Sequence, residues 1–180
     1  MAVLTAAVCV LTVFVLINLV VTAGLVRRLR EQALSAPAYD AGGPDVGTPA
    51  PAVTATTADG RDVEVAAAGR PTLVAFFATS CTACSREAPG FAARTAEFRA
   101  QGLTVVTVLE RRPGDDDGPL AAALEAVEHL VREDMPGPVL SAFEVAATPA
   151  FFLLAADGTV QSKGQYPPPA LAAPAVAGRG

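Results

Sequence analysis

Cysteine and histidine are scarce in this chain of 180 residues. There are three cysteines, Cys9, Cys81 and Cys84, and a single histidine, His129. So few cysteines exclude a fold held together by several disulfides, and a structural zinc site would need two more Cys or His ligands beside Cys81 and Cys84. The 13 Lys and Arg residues are scattered and the net charge is -5, so we expect no metal site and no nucleic-acid partner.

Charge is missing from residues 1–26, which contain no Asp, Glu, Lys or Arg. A helix of that length more than spans the roughly 30 Å hydrocarbon layer of a membrane. A cleaved signal peptide would show a basic stretch before the apolar run and a small-residue cleavage site after it, whereas this run is followed by Arg27, Arg28 and Arg30. The pattern predicts a single transmembrane helix.

Composition divides the rest of the chain into three parts. Residues 27–46 are a basic flank and a Pro/Gly-rich linker with few large apolar side chains. Residues 47–164 are enough for one compact domain of ordinary size. Residues 165–180 are a Pro/Ala-rich tail, in which a closing helix is expected to be short or missing.

Two continuous apolar runs in the domain predict buried strands. Residues 72–78 and 103–109 have the length and composition of strands covered on both faces. Between them, Ala88, Phe91 and Phe98 recur at helical spacing and predict a helix with one apolar face. A strand, a helix and a second strand in this order form a βαβ unit, the building block of a parallel sheet.

Hairpin patterns flank this unit on both sides. Residues 53–65 alternate around a turn at Gly60 and predict an N-terminal β-hairpin. Residues 150–154 and 159–162, joined by a tight turn at Gly158, predict a closing antiparallel pair.

An amphipathic stripe after the acidic loop at residues 115–117 predicts a second helix. Its apolar positions are Leu120, Leu124, Val127 and Val131. His129 lies off this stripe, so we expect a surface histidine on that helix and not a catalytic base. Strands and helices in this order predict an α/β fold with a central mixed sheet flanked by helices.

Cys81 and Cys84 form a CxxC pair between the first buried strand and the first helix. This position places the first sulfur at a helix N-terminus, where free backbone N–H groups and the macrodipole favour the thiolate. Cys81 is therefore the predicted nucleophile, and Cys84, one helical turn further on, is the predicted resolving cysteine. Ser80 is suited to cap the helix.

Residues 75–89 have the sequence AFFATSCTACSREAP, and residues 147–152 have the sequence ATPAFF. The first resembles the active-site signature of TlpA/ResA-type thioredoxin-like proteins, including the MauD group, with Glu87 and Pro89 at the C-x-x-C-x-x-E-x-P spacing. The second resembles the cis-proline loop that faces the cysteine pair in this superfamily. The likeness implies a thioredoxin fold in which Glu87 and Pro89 support the site.

The same resemblance assigns roles to Thr148 and Pro149. It implies that Pro149 follows a cis peptide bond and that the backbone of Thr148 pairs with an incoming substrate strand. The chain departs from the pattern where Ser80 replaces an aromatic residue, Ala83 replaces a proline and Ala75 replaces the buried acid of thioredoxin. The direction of electron transfer is left open.

These patterns predict a membrane-tethered protein-disulfide oxidoreductase that needs no cofactor beyond the Cys81 and Cys84 dithiol. Its expected partners are thiols or disulfides of a membrane or exported redox protein. Disulfide exchange favours an extracytoplasmic domain at the cell membrane. The positive charges of Arg27, Arg28 and Arg30 favour the cytoplasmic side, so sidedness stays open.

Two other functions compete with this one. A peroxiredoxin-type peroxidase would also use an activated thiolate, but its P-x-x-x-T-x-x-C site would place Pro and Thr where Val74 and Ala78 stand. A Cu(I) metallochaperone would use Cys81 and Cys84 as soft ligands. Related copper-delivery proteins carry C-x-x-x-C with a later histidine, a pattern that the CxxC spacing and the position of His129 do not match.

Overall fold

The computed structural model describes residues 1, 11–12, 14–15, 17–19, 22, 40–66 and 69–168. The chain divides into two compact units, Met1–Ala38 and Tyr39–Gly180. In the first unit, the described residues from 11 to 22 are helical, and Asn18 Nδ2 donates a hydrogen bond to the carbonyl of Phe14 at 3.0 Å.

The predicted transmembrane helix over residues 1–26 is corrected by the structure. Among the residues that the structure describes, no helix is long and apolar enough to cross a membrane. A span needs about 20 consecutive apolar residues in one helix. The other residues of that range, together with Cys9, Arg27, Arg28 and Arg30, lie outside the described part of the chain.

The described part of the second unit contains seven strands and three helices. The strands are β1 (Thr54–Thr56), β2 (Asp62–Glu64), β3 (Thr72–Ala78), β4 (Thr104–Arg111), β5 (His129–Asp134), β6 (Ala150–Leu154) and β7 (Val160–Gly164). The helices are α1 (Thr82–Ala100), α2 (Gly118–Ala123) and α3 (Pro138–Ala142). Strands β1 and β2 form the predicted N-terminal hairpin.

The other strands form a five-stranded sheet in the order β5-β4-β3-β6-β7. Strand β3 is parallel to β4, and β4 is parallel to β5. Strand β6 is antiparallel to β3, and β7 is antiparallel to β6. The predicted mixed sheet, its βαβ unit and its closing antiparallel pair are confirmed.

Both faces of this sheet are covered by apolar side chains. As a result, every residue of β3 and β6 is buried. On one face, α1 packs the rings of Phe91 and Phe98 toward Phe77 and Phe151. On the other face, a second cluster gathers around Phe76 with α3 beside it. The sheet core therefore holds the start of α1 at the carboxyl end of β3.

The second predicted helix is wrong beyond its first turns. Helix α2 ends at Ala123, and Val131 lies in strand β5, which pairs in parallel with β4. His129 begins that strand and is half-buried, so its predicted place on a helix is also wrong. Apolar residues at this spacing fit a helix and a short helix followed by a strand equally well, and the pairing with β4 decides between them.

Both edges of the sheet are partly covered by other segments. At β5, the hairpin contributes a bridge from Thr57 to Val131 and a hydrogen bond from the N–H of Ala58 to the carbonyl of Leu130. At β7, Val160 accepts from the N–H of Gly47 at 2.8 Å and donates to the carbonyl of residue 48 at 2.9 Å.

Part of the predicted linker packs on the domain. Ala41 is 1% exposed, and Gly42 forms an antiparallel bridge with Val145. The N–H of Gly43 donates to the carbonyl of Glu144 at 2.9 Å. Residues 40–46 therefore belong to the folded surface, although their Pro/Gly-rich composition predicts a linker.

Candidate active site

Strand β3 leads directly into Cys81, which is the N-cap of α1. Its Sγ accepts a hydrogen bond from the backbone N–H of Cys84 at 3.1 Å, and the two cysteines are joined as a disulfide. The turn before Cys81 is held by Thr79, whose N–H donates to the carbonyl of Glu110 and whose hydroxyl donates to Asp115. The predicted position of the pair between strand and helix is confirmed.

The two sulfurs differ in their access to solvent. Cys81 is half-buried, whereas Cys84 is completely buried in the core beneath α1. No acidic residue occupies the first turn of α1, so the positive end of the helix dipole acts on Cys81 without an opposing carboxylate in that turn. This arrangement favours the thiolate of Cys81 when the disulfide is reduced.

The proline loop faces the disulfide, as the resemblance implies. The peptide bond between Thr148 and Pro149 is cis, and the carbonyl oxygen of Thr148 lies 3.1 Å from the Sγ of Cys81. The N–H of Thr148 donates no hydrogen bond within residues 40–66 and 69–168. A second cis peptide bond, between Met135 and Pro136, was not foreseen from the sequence.

The structure places the three predicted supporting residues, Ser80, Glu87 and Pro89, in different surroundings. Ser80 is exposed and is not the helix cap, because the chain enters α1 one residue later and the sulfur of Cys81 takes that role. Pro89 lies inside α1 and is exposed. Glu87 is half-buried and lines a cavity of about 330 Å³ together with Ala83 and Pro149.

Two buried carboxyl groups near the site were missed by the sequence reasoning. Glu110 and Glu133 are 4% and 8% exposed, and they are paired residues on the neighbouring strands β4 and β5. Glu110 is also the register partner of Ala78, three residues before Cys81. The only signal in the sequence is an acidic residue at the end of a buried strand.

The carboxyl group of Glu133 caps the start of α3. It accepts hydrogen bonds from the N–H groups of Val139 at 3.0 Å and Leu140 at 2.9 Å. Burial raises the pKa of Glu133 above its usual range, the two backbone hydrogen bonds oppose this rise, and the nearby charge of Glu110 adds to it. Gly137 packs so closely against the Glu133 carboxyl group that a Cβ at this position would collide with it.

Solved structures with the same fold include several thiol-disulfide proteins. The thioredoxin domain of a thiol-disulfide oxidoreductase from Bacteroides vulgatus has 23% identity and a TM-score of 0.57, over 67% of this chain and 88% of that chain. A thiol:disulfide interchange protein from a Bacteroides species has 23% identity and a TM-score of 0.55, over 66% and 80%. A thioredoxin family protein from Chlorobium tepidum, also a thiol:disulfide interchange protein, has 22% identity and a TM-score of 0.54, over 69% and 90%.

These likenesses confirm the predicted thioredoxin-like fold. Among curated proteins, no sequence matches this chain. Residues 46–163 match the AhpC/TSA family, and this segment contains both cysteines of the CxxC pair and the cis-proline loop. The segment covers more than half of the chain, which therefore belongs to the AhpC/TSA family, within the thioredoxin-like superfamily.

Proposed function

We propose that this protein is a thiol-disulfide oxidoreductase that exchanges electrons with partner proteins through Cys81 and Cys84. The observation that carries the proposal is the difference between the two sulfurs, one half-buried at a helix start beside Thr148 and the other fully buried. An accessible sulfur can meet a partner, and an enclosed sulfur one turn away can meet only its neighbour. The names of the structural neighbours support this class of reaction.

The exchange proceeds through two displacements. In the reducing direction, the thiolate of Cys81 attacks one sulfur of the partner disulfide, forms a mixed disulfide and releases the partner's other sulfur as a thiolate. The thiolate of Cys84 then attacks the sulfur of Cys81, which closes the Cys81–Cys84 disulfide and releases the second partner thiol. Two electrons pass to the partner, and no cofactor beyond the cysteine pair takes part.

Neighbouring groups act on different stages of this cycle. The N–H of Cys84 and the helix N-terminus favour a negative charge on Cys81, by about 1.5–3 kcal/mol for a hydrogen bond to a charged group. The carbonyl of Thr148 opposes that charge but can accept the proton of a Cys81 thiol. We expect the N–H of Thr148 to pair with the backbone of an extended partner segment.

Cysteine variants of the full chain test the proposal, with reduction of insulin disulfides as the assay and Cys9→Ser as the background. Cys81→Ser is expected to lower turnover at least about 100-fold, because the attacking sulfur is removed. Cys84→Ser should accumulate a mixed disulfide between Cys81 and the insulin chain, visible on a non-reducing gel. Ser85→Ala changes an exposed neighbour of Cys84 and serves as the matched control. Full turnover by Cys81→Ser would refute the proposal.

We propose an extracytoplasmic, oxidising compartment as the place where this chemistry operates, since substrate disulfides persist there. Labelling of Cys81 in intact cells by a membrane-impermeant thiol reagent, after mild reduction, tests this location. Reaction in intact cells supports it, and reaction only after lysis contradicts it. The Cys81→Ser variant reports labelling of other thiols.

A further inference from the structure

A cavity of about 370 Å³ lies beside the disulfide, and two of its lining residues are neighbours of Cys81. Ser80 precedes Cys81, and Thr148 contacts the sulfur of Cys81 through its carbonyl. The other walls are mainly apolar and include Ala78, Met135, Pro136, Leu140, Val145 and Ala147. A side chain on a polypeptide bound at Cys81 can therefore reach this cavity.

Among the described residues that line the cavity, Glu110 is the single titratable one. Its side chain accepts one hydrogen bond within the described residues, from the N–H of Gly137 to Oε1 at 3.3 Å. A carboxylate has sites for about four hydrogen bonds, so most of the acceptor capacity of Glu110 is unused. The residue is 4% exposed, so the cavity that it lines is the route by which a further donor can reach it.

The two buried carboxyl groups have no basic partner among the described residues. Neither Glu110 nor Glu133 forms an ion pair within residues 40–66 and 69–168. The nearest arginines in sequence, Arg111 and Arg132, are paired with Asp134 and Asp117. A basic side chain supplied from outside would therefore meet no competing ion pair at Glu110.

We propose that this cavity receives a lysine or arginine side chain of the partner polypeptide, with Glu110 as the group that binds the cationic head. The inference rests on the proposed function, because the partner must be seated at Cys81. The apolar walls suit the aliphatic stem of such a side chain, and the carboxylate beyond them suits its charged end. An acidic partner side chain would meet like charge at the same place.

A metal ion is a weaker match for the cavity than a basic side chain. The described residues contain no group of three His, Cys, Asp or Glu side chains that could hold a metal. The described lining comprises seven apolar residues, three hydroxyl-bearing residues and one carboxyl group, which suits a side chain with an apolar stem better than a metal that needs a shell of oxygen ligands. The inferred substrate class is thus a protein with a basic residue close to its reactive cysteine.

Synthetic disulfide peptides measure the preference directly. Each peptide carries one reactive cysteine disulfide and a single lysine, moved in steps from three residues before the cysteine to three residues after it. Matched series carry norleucine or glutamate at the same positions. For the reduced full-length protein, kcat/KM is expected to be about tenfold higher for lysine than for norleucine at one position, and lower still for glutamate.

Two variants and one control assign that preference to the cavity. Glu110→Gln keeps the shape and removes the charge, so the lysine preference should fall to about twofold or less. Ser141→Lys changes an exposed residue at the cavity wall and should weaken the lysine preference by adding a competing cation, even if Glu110→Gln does not fold. Glu64→Gln removes the same charge from exposed strand β2 and should leave the preference unchanged.

The outcomes separate this inference from the proposed function. Equal kcat/KM for lysine, norleucine and glutamate at every position would overturn the basic-residue inference while leaving disulfide exchange intact. Failure of the folded wild-type protein to reduce any peptide or insulin would overturn the proposed function itself. A lysine preference that persists in both Glu110→Gln and Ser141→Lys would show that another surface recognises the cation, and would also overturn the inference.

Discussion

Replacing Phe91 by alanine tests how firmly α1 is seated on the sheet. Phe91 is fully buried, and its ring lies 5.6 Å from Phe77, 5.4 Å from Phe151 and 6.3 Å from Phe98, measured between centroids. Truncation of a buried Phe to Ala costs about 3–5 kcal/mol. Since the three ring contacts are lost together, we expect Phe91→Ala to fall at the upper end of that range, against a total stability of about 5–15 kcal/mol for such a domain.

Urea unfolding followed by far-UV circular dichroism is the suitable assay, because the chain contains no tryptophan. Tyr166→Ala, at a side chain that is 66% exposed, is the matched control and should change the free energy of unfolding by less than about 0.5 kcal/mol. A loss below about 1 kcal/mol in Phe91→Ala would refute the view that this ring anchors the cysteine-bearing helix.

Two further predictions concern buried polar groups. Thr107→Val is expected to raise the free energy of unfolding by about 1 kcal/mol, because the buried Thr107 hydroxyl has no hydrogen-bond partner within the described residues. A lower urea midpoint in that variant would contradict this. Because the pKa of Glu133 is raised on folding, its contribution favours the folded state at low pH and is lost as pH rises through and above the ordinary Glu range. The free energy of unfolding of wild type minus that of Glu133→Gln should therefore fall between about pH 4 and pH 7, and an increase would contradict the assigned burial.

Segments whose structure depends on local pattern were predictable from sequence. The apolar run at residues 72–78 coincides with β3, because a strand buried on both faces needs little beyond length and hydrophobicity. The spacing of Phe91 and Phe98 likewise predicts the buried face of α1. Strand β5 was missed because its identity depends on parallel pairing with β4, a long-range contact that residue spacing does not encode.

The parts of the site that depend on a short sequence motif could be predicted. A CxxC pair after a strand places Cys81 at the helix start, and the TP pair at residues 148–149 indicates the cis-proline loop. The sequence favours Ser80 as the cap because a hydroxyl is the usual capping group, whereas the observed chain path brings the sulfur of Cys81 to that position.

The burial of Glu110 and Glu133 could not be predicted from the sequence. Acidic residues at strand ends are normally solvated, and nothing local indicates that these two would be enclosed. Their burial results from the parallel register of β4 with β5 and from the turn at Gly137, which are properties of the assembled fold.

The coverage of the outer strands has a consequence for behaviour at high concentration. An open sheet presents rows of unpaired backbone groups at its margins, and these can recruit a strand from another molecule and begin aggregation. Here the hairpin occupies part of the β5 margin, and the segment around Gly47 pairs with Val160 at the β7 margin. Truncation from the N-terminal side past Gly47 would expose the second margin, so a shortened domain should self-associate at concentrations where the longer one does not.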